Sequence, residues 1–388
     1  MIVNPEDVAE ALEITERLVR FASPSHVSNT PVTDWLEQQL KQAGFQCERI
    51  ERTDAAGVAK SNLVARRGPA GSDAAVGGGL AYFAHTDVVP ADVWEGPGGA
   101  FEPVVQDGRL YGRGSCDMKG SLAAMVAAAH SINPASQTHP LWIVCTADEE
   151  VGFHGARQVA RESKLFRQMV AEQPVGIIGE PTELDVVHAH KGIEGCKLTS
   201  RGRAAHSSTR EGRNANLAMV PLLDELLAIH RETERDSRWH DERFDPPTVT
   251  WTFGVSDFTH AINVTPAVSR AWVSFRTMPE IDGHELLERV RRKAVELGIE
   301  FEPLDGGGTL WVDADHPWVQ SMCEMAGRPA ARTVSYCTDG GLFTELEALV
   351  VCGPGSIAQA HTTDEFIELD QLAAGVELYR KLIKSRCC

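Results

Sequence analysis

The placement of apolar residues along the chain predicts two kinds of segment. Residues 5–22 and 31–43 repeat apolar positions at helical spacing, with Leu12, Ile14, Leu18 and Val19 marking the first and Trp35, Leu36 and Leu40 the second. Residues 67–78, rich in Gly, Ala and Ser, read as a loop. Short apolar runs at 79–84, 141–145 and 175–178 have the character of buried strands. Between the first two, residues 119–132 are rich in Ala, Leu and Met and predict a buried helix. This alternation predicts an α/β fold, a mostly parallel sheet flanked by helices.

The pattern changes after residue 188. Residues 193–200 alternate like a half-exposed strand, 214–230 read as a helix, 231–245 are strongly charged, 248–255 and 271–278 read as strands, and 284–297 as a helix. The prediction is a smaller α+β domain over residues 190–303, inserted into a catalytic domain made of 1–189 and 304–388. Three glycines between Asp305 and Thr309 mark the return. Helix 318–326, strand 348–352 and helix 371–384 complete the pattern.

Length and composition sharpen this picture. A chain of 388 residues is too long for one ordinary core, and 43% hydrophobic with 24% charged residues is a globular balance. No apolar run approaches the roughly 18–20 residues of a membrane span. Glu6, Asp7 and Glu10 stand where a secretory signal would be basic, so a cytoplasmic protein is expected. A formal charge of −18 repels phosphate backbones and argues against a nucleic-acid partner. The nine cysteines are scattered, with no Cys-x-x-Cys, and predict free thiols in place of a disulfide framework or a cysteine-zinc site.

Candidate chemistry gathers where the predicted strands end, the usual place for sites in open α/β sheets. His85 and Asp87 follow the first strand, Glu149 and Glu150 the second, and Glu180 the third; Asp117 and His361 lie in glycine-punctuated loops. Two histidines and several carboxylates suit Zn²⁺, Mn²⁺ or Co²⁺. Two cations about 3.5–4 Å apart need a bridging anion, which a carboxylate supplies. In His85-Thr-Asp87 the Asp87 carboxylate is expected to accept a hydrogen bond from the distal ring nitrogen of His85. Glu149 and Glu150, in an extended segment, should point in opposite directions, so that one binds metal and the other faces the attacking water as general base. Gly112-x-Gly114 lacks the third glycine of a dinucleotide motif, Asp117 taking its place, and no Gly-x-Ser-x-Gly elbow is present.

Five segments, in this order, resemble the dizinc amidohydrolase family of acetylornithine deacetylases, succinyl-diaminopimelate desuccinylases, aminoacylases and glutamate carboxypeptidases. They are Ala84-His-Thr-Asp-Val-Val-Pro90, Tyr111-Gly-Arg-Gly-Ser-Cys-Asp-Met-Lys-Gly120, Thr146-Ala-Asp-Glu-Glu150, Gly179-Glu-Pro-Thr182 and Ala360-His361. The resemblance implies two Zn²⁺ per subunit, with Co²⁺ or Mn²⁺ as substitutes. His85, Asp117 and Glu180 would hold one ion, and Asp117, Glu150 and His361 the other. It implies Glu149 as the base, Asp87 as the residue orienting His85, and a cis peptide after Asp117. It also implies that the middle block is a lid and dimerisation domain, with His206 reaching the partner subunit's site in a homodimer. Asn263 and Arg276 match substrate-binding positions, the arginine suiting an α-carboxylate. The implied activity is amide hydrolysis of a small N-acyl amino acid. Gly353-Pro-Gly-Ser…His361-Thr-Thr-Asp-Glu365 looks most like the acetylornithine deacetylase branch, whereas Cys337-Thr-Asp-Gly-Gly341 leans toward the desuccinylases. A dipeptidase or carboxypeptidase on the same chemistry, and a non-catalytic binding protein that kept the fold, are the alternatives.

Overall fold

The computed structural model of the chain describes residues 5–69 and 78–388. Most of the loop expected over 67–78 lies outside the described residues. The chain divides into two compact units: Met1–Ala189 with Trp311–Arg332 and Thr338–Cys388, and His190–Leu310 with Thr333–Cys337.

The first unit is built mainly on one large sheet, with a separate small sheet of Val104–Gln106, Arg109–Tyr111 and Phe366–Glu368. The main strands of the large sheet are β1 (Gln46–Thr53), β2 (Ala59–Arg67), β3 (Leu80–His85), β4 (Leu141–Thr146), β5 (Val175–Ile178), β6 (Val187–His190) and β7 (Leu349–Val351). Along the sheet they run β1-β2-β4-β3-β5-β7-β6. The centre is parallel, with β3 paired to both β4 and β5 and β7 paired to β5. The β1–β2 hairpin joins β4 antiparallel, and β6 meets β7 antiparallel. All side chains of β3 and β4 are buried, as expected of strands covered on both faces.

Helix α1 (Gly120–His130) is buried from Gly120 to Ala129, so it has no polar stripe. It packs against the helices Pro5–Arg20 and Leu369–Cys387. Its small alanines allow that approach, and its one core hydroxyl is satisfied: Ser121 Oγ lies 2.8 Å from both Tyr82 Oη and Tyr379 Oη, and Tyr379 Oη donates to the Cys352 carbonyl at 3.1 Å.

Strand β2 and the helices His154–Glu162 and Lys164–Glu172 have no counterpart in the apolar pattern. β2 reads Ala-Lys-Ser-Asn-Leu-Val-Ala-Arg-Arg, yet all but its first residue are buried. Each polar side chain finds a partner: Lys60 Nζ donates to the Ser25 and Val27 carbonyls, Asn62 Nδ2 to Gln158 Oε1 at 3.1 Å, and Arg67 Nη2 to the Ala129 carbonyl at 2.9 Å. Satisfied hydrogen bonds make this burial tolerable.

Gly155 shows how closely the end of β4 is packed. A Cβ there would lie 2.3 Å from both the Ala147 carbonyl oxygen and Asn62 Oδ1. Gly155→Ala is therefore expected to cost about 1–3 kcal/mol through overpacking against atoms that cannot retreat. Urea unfolding checks this; an unchanged midpoint would show that the backbone gives way freely.

The second unit carries a four-stranded antiparallel sheet ordered Thr250–Ser256, Val268–Arg276, Glu194–Arg201, Glu300–Pro303, with helices Asn216–Arg235 and Gly283–Glu296.

Candidate metal centre

The parallel register aligns the carboxyl ends of β3, β4 and β5. His85 stands opposite Thr146, and Phe83 opposite Ile178, so His85, the Asp148–Glu150 turn and Glu180 emerge side by side. Asp117 arrives from the segment ahead of α1. Gly114 makes the turn into it at φ +84, in the left-handed region that favours glycine, and a Cβ there would lie 2.7 Å from Val88 Cγ1. The Asp117–Met118 peptide is cis. His361 comes from the loop ahead of the strand Phe366–Glu368 and itself has φ +65.

These elements converge on one cluster within the first unit. His85 Nε2 lies 3.0 Å from Asp117 Oδ1 and 3.7 Å from Glu180 Oε1. His361 Nε2 lies 3.1 Å from Glu150 Oε2 and 3.5 Å from Asp117 Oδ2. Asp117 therefore turns one oxygen toward each histidine. Two sets of donor atoms, His85–Asp117–Glu180 and Asp117–Glu150–His361, each lie within 4.8 Å of one another and share Asp117. Glu149 belongs to neither set. His361 is the exposed member; His85, Asp117, Glu149 and Glu180 are buried.

The electrostatics are those of a site short of positive charge. Burial raises the pKa of Glu180 well above the ordinary carboxylate range, and the Asp117 charge raises it further. Glu149 is likewise driven well up by burial, with His85 opposing and the charges of Glu180 and Glu150 adding to it. Glu150 is raised by burial against the hydrogen bond from His361. Burial would also raise Asp117, but the hydrogen bond and charge of His85, with His361, lower it. Burial would lower His85; the Asp117 hydrogen bond and the Glu180 charge override it and raise the imidazole well above its usual value. Among the described residues the ion-pair partners of these carboxylates are the two histidines, with no Lys or Arg. Packed, buried carboxylates of this kind need cations between them. Nitrogen and oxygen donors without thiolate suit a divalent ion of the zinc, cobalt or manganese type.

Asp87 supports the cluster in a different way from the one its spacing suggests. His85 Nδ1 meets the backbone carbonyl of Asp87 at 2.9 Å, while Asp87 Oδ1 stands 3.8 Å away. A carbonyl only accepts, so Nδ1 carries the proton and Nε2 faces the cluster. The Asp87 carboxylate instead accepts from Ser25 Oγ at 2.7 Å and from the backbone N–H groups of Glu149 at 3.2 Å and Glu150 at 3.4 Å. It holds the turn that carries both glutamates. That segment is a turn, not the extended strand expected, with Asp148 left-handed at φ +59 and its carboxylate paired to Lys60 and Arg52.

Several contributors escaped the sequence reading. Ser25 sits in an N-terminal loop with no motif of its own. Asp339 is buried, accepts from Thr146 Oγ1 at 2.5 Å, and burial lifts its pKa to about 6. Glu365 falls four residues after His361, in a segment already singled out, but nothing in the spacing reveals its fully buried ion pair with Arg113 at 2.7 Å.

His206, Asn263 and Arg276 belong to the second unit. His206 is exposed, pairs with Val264 in an isolated bridge, and has Nδ1 2.7 Å from Ser208 Oγ; Ser207 N–H donates to the Asn263 carbonyl at 2.9 Å. The two candidates thus lie on adjoining segments. Arg276 ends its strand half-buried, opposite Thr250.

The family model described as peptidase family M20/M25/M40 matches residues 81–385. An acetylornithine deacetylase of Myxococcus xanthus is 36% identical over 94% of this chain and 95% of its own. One from Proteus mirabilis is 34% identical over 93% and 91%. Among solved structures, an M20 family metallo-carboxypeptidase of Sulfolobus solfataricus superposes with a TM-score of 0.75 at 16% identity, covering 97% of this chain and 98% of that one. Human carnosine dipeptidase 1 gives 0.72 at 16% identity, covering 96% of each chain. At such identities the structural likeness speaks for the fold alone.

Proposed function

Because the chain belongs to peptidase family M20/M25/M40, a family of metal-dependent hydrolases, we propose that it hydrolyses N-acetyl-L-ornithine to L-ornithine and acetate. The observation that carries the reading is the arrangement around Asp117, which turns one oxygen to each of two donor sets while Glu149 belongs to neither and feels the charges of members of both. His85, Asp117 and Glu180 would hold one Zn²⁺ and Asp117, Glu150 and His361 a second. Bound there, such ions would supply Lewis acidity toward the acyl carbonyl and the attacking water. Glu149 takes the proton from the attacking water and delivers it to the departing amine, so that one water is consumed and a carboxylate and an amine are released. Arg276 and Asn263 bind the substrate, the guanidinium taking its α-carboxylate.

His206 stabilises the oxyanion of the partner subunit's reaction, and the enzyme is a homodimer. The second unit supports this with exposed apolar side chains on its edge strand and neighbouring elements, Val220, Val255 and Phe258 lining one groove. Its edge strand Thr250–Ser256 exposes Phe253 and Val255, and Leu217, Val220, Phe258 and Trp272 are exposed as well. Open edges and apolar patches of this kind are normally covered. Light scattering is expected to give twice the 42.2 kDa chain mass, and a strict monomer would remove His206 from the mechanism. No described helix is long and apolar enough to cross a membrane, and we place the enzyme in the cytoplasm, releasing ornithine for arginine synthesis.

Hydrolysis assays on N-acetylornithine, N-succinyl-diaminopimelate and N-acetylcitrulline test the substrate. The expected outcome is the highest kcat/KM on N-acetylornithine, abolished by a chelator and restored by Zn²⁺ or Co²⁺. Preference for the succinyl substrate would move the protein to the branch that Thr338-Asp-Gly suggests, and no hydrolysis of any amide would leave a binding protein.

A further inference from the structure

We propose that Glu365 is a positioning residue that locks Asp117 and His361 into one rigid body and thereby governs the Asp117–Glu150–His361 position more than the His85–Asp117–Glu180 position. The inference rests on the metal-centre reading above. Glu365 is 0% exposed. Its Oε1 accepts from the backbone N–H groups of Cys116 and Asp117, both at 2.9 Å. Its Oε2 accepts from the Gly114 N–H at 2.9 Å and from Arg113 Nη1 at 2.7 Å. All four partners are donors, so the group is held as an acceptor-only carboxylate with its lone pairs used.

The same contact ties two loops together. Arg113 Nη2 donates to the Thr362 carbonyl at 2.8 Å, one residue from His361. Gly112 N–H donates to the Glu365 carbonyl at 3.0 Å, and the flanking strands Arg109–Tyr111 and Phe366–Glu368 pair in register, Tyr111 opposite Phe366. Residues 112–117 and 361–365 are therefore held as one body by the paired backbones, the Arg113–Thr362 bond and the buried Glu365 carboxylate, which alone binds four groups of the 112–117 segment. His85, Glu150 and Glu180 reach the cluster from the ends of β3, β4 and β5 and take none of these bonds. One donor set draws two of its three members, Asp117 and His361, from the Glu365 body; the other draws only Asp117.

Glu365→Gln keeps the volume but replaces one oxygen with an amide NH₂ that cannot accept, so two of the four bonds are lost and Arg113 loses its counter-charge. The probe is Co²⁺ alone, titrated into metal-free protein by calorimetry with visible absorption. Wild type is expected to take up two ions. In Glu365→Gln the affinity for one ion should fall about 10–100-fold, the usual effect of losing a group that orients a ligand, while the other changes much less. Thermal unfolding of the metal-free forms separates a purely structural role, which would lower Tm and leave both affinities unchanged in the folded protein. If Glu365→Gln does not fold, Arg113→Lys, which removes the clamp on Thr362, should give the same selective loss at smaller amplitude. Two ions in wild type with equal losses, or none, in the variant overturn the role of Glu365 alone. Fewer than two ions in wild type overturns the metal-centre reading and this inference with it.

Discussion

Replacing Glu149 by glutamine is expected to lower kcat about 10²–10⁴-fold while leaving the metal content of the protein unchanged, the usual range for removing a positioned general acid–base. The separation of the two effects is what makes the test informative. Glu149 belongs to neither donor set, yet its buried carboxyl feels the charges of His85, Glu180 and Glu150. Its backbone N–H is fixed by Asp87 and the turn beneath it by the pairing of Asp148 with Lys60. The amide should therefore sit where the carboxylate sat. Elemental analysis and single-turnover hydrolysis on the same preparation give both quantities. Retained activity would remove Glu149 from the proton transfer, and loss of metal together with activity would make it a ligand.

Asp117→Ala should have the widest effect on metal content. One oxygen faces His85 at 3.0 Å and the other His361 at 3.5 Å, so the substitution takes a donor from both sets at once. Each falls from three protein donors to two, below the three that catalytic zinc sites ordinarily provide. After dialysis against a chelator and reconstitution with Zn²⁺, the variant should hold less than one ion per chain and show no measurable turnover. His361→Ala serves as the comparison and should keep one ion, because His85, Asp117 and Glu180 remain. Equal metal content in the two variants would show that Asp117 is not shared.

Most of the cluster is legible in the sequence because its members stand at strand ends. Buried apolar runs such as 141–145 locate a strand, and the polar residues immediately after it fall at the sheet edge by geometry alone. The hairpin Gln46–Thr53 with Ala59–Arg67 was not legible, because Lys60, Ser61, Asn62, Arg66 and Arg67 are polar in sequence and buried in the fold. Their burial depends on partners such as Gln158 and Ala129, which lie far along the chain. Asp87 illustrates the same limit more finely. Its closeness to His85 follows from the two-residue spacing, but its carboxylate is taken by Ser25, 62 residues away, and by the N–H groups of the Glu149 turn.

The sequence by itself determined the alternation of buried strands and helices and the identity of the polar residues at their ends, because periodicity and strand direction are local properties. It also determined the donor chemistry, nitrogen and oxygen without thiolate, since that is a matter of residue type. Only the tertiary structure decided that Asp117 presents a separate oxygen to each histidine, that the Asp87 carboxylate holds the Glu149 turn, and that Glu365 joins the Asp117 and His361 loops. Each of these is a relation of a few ångströms between segments tens to hundreds of residues apart, and no local pattern carries that distance.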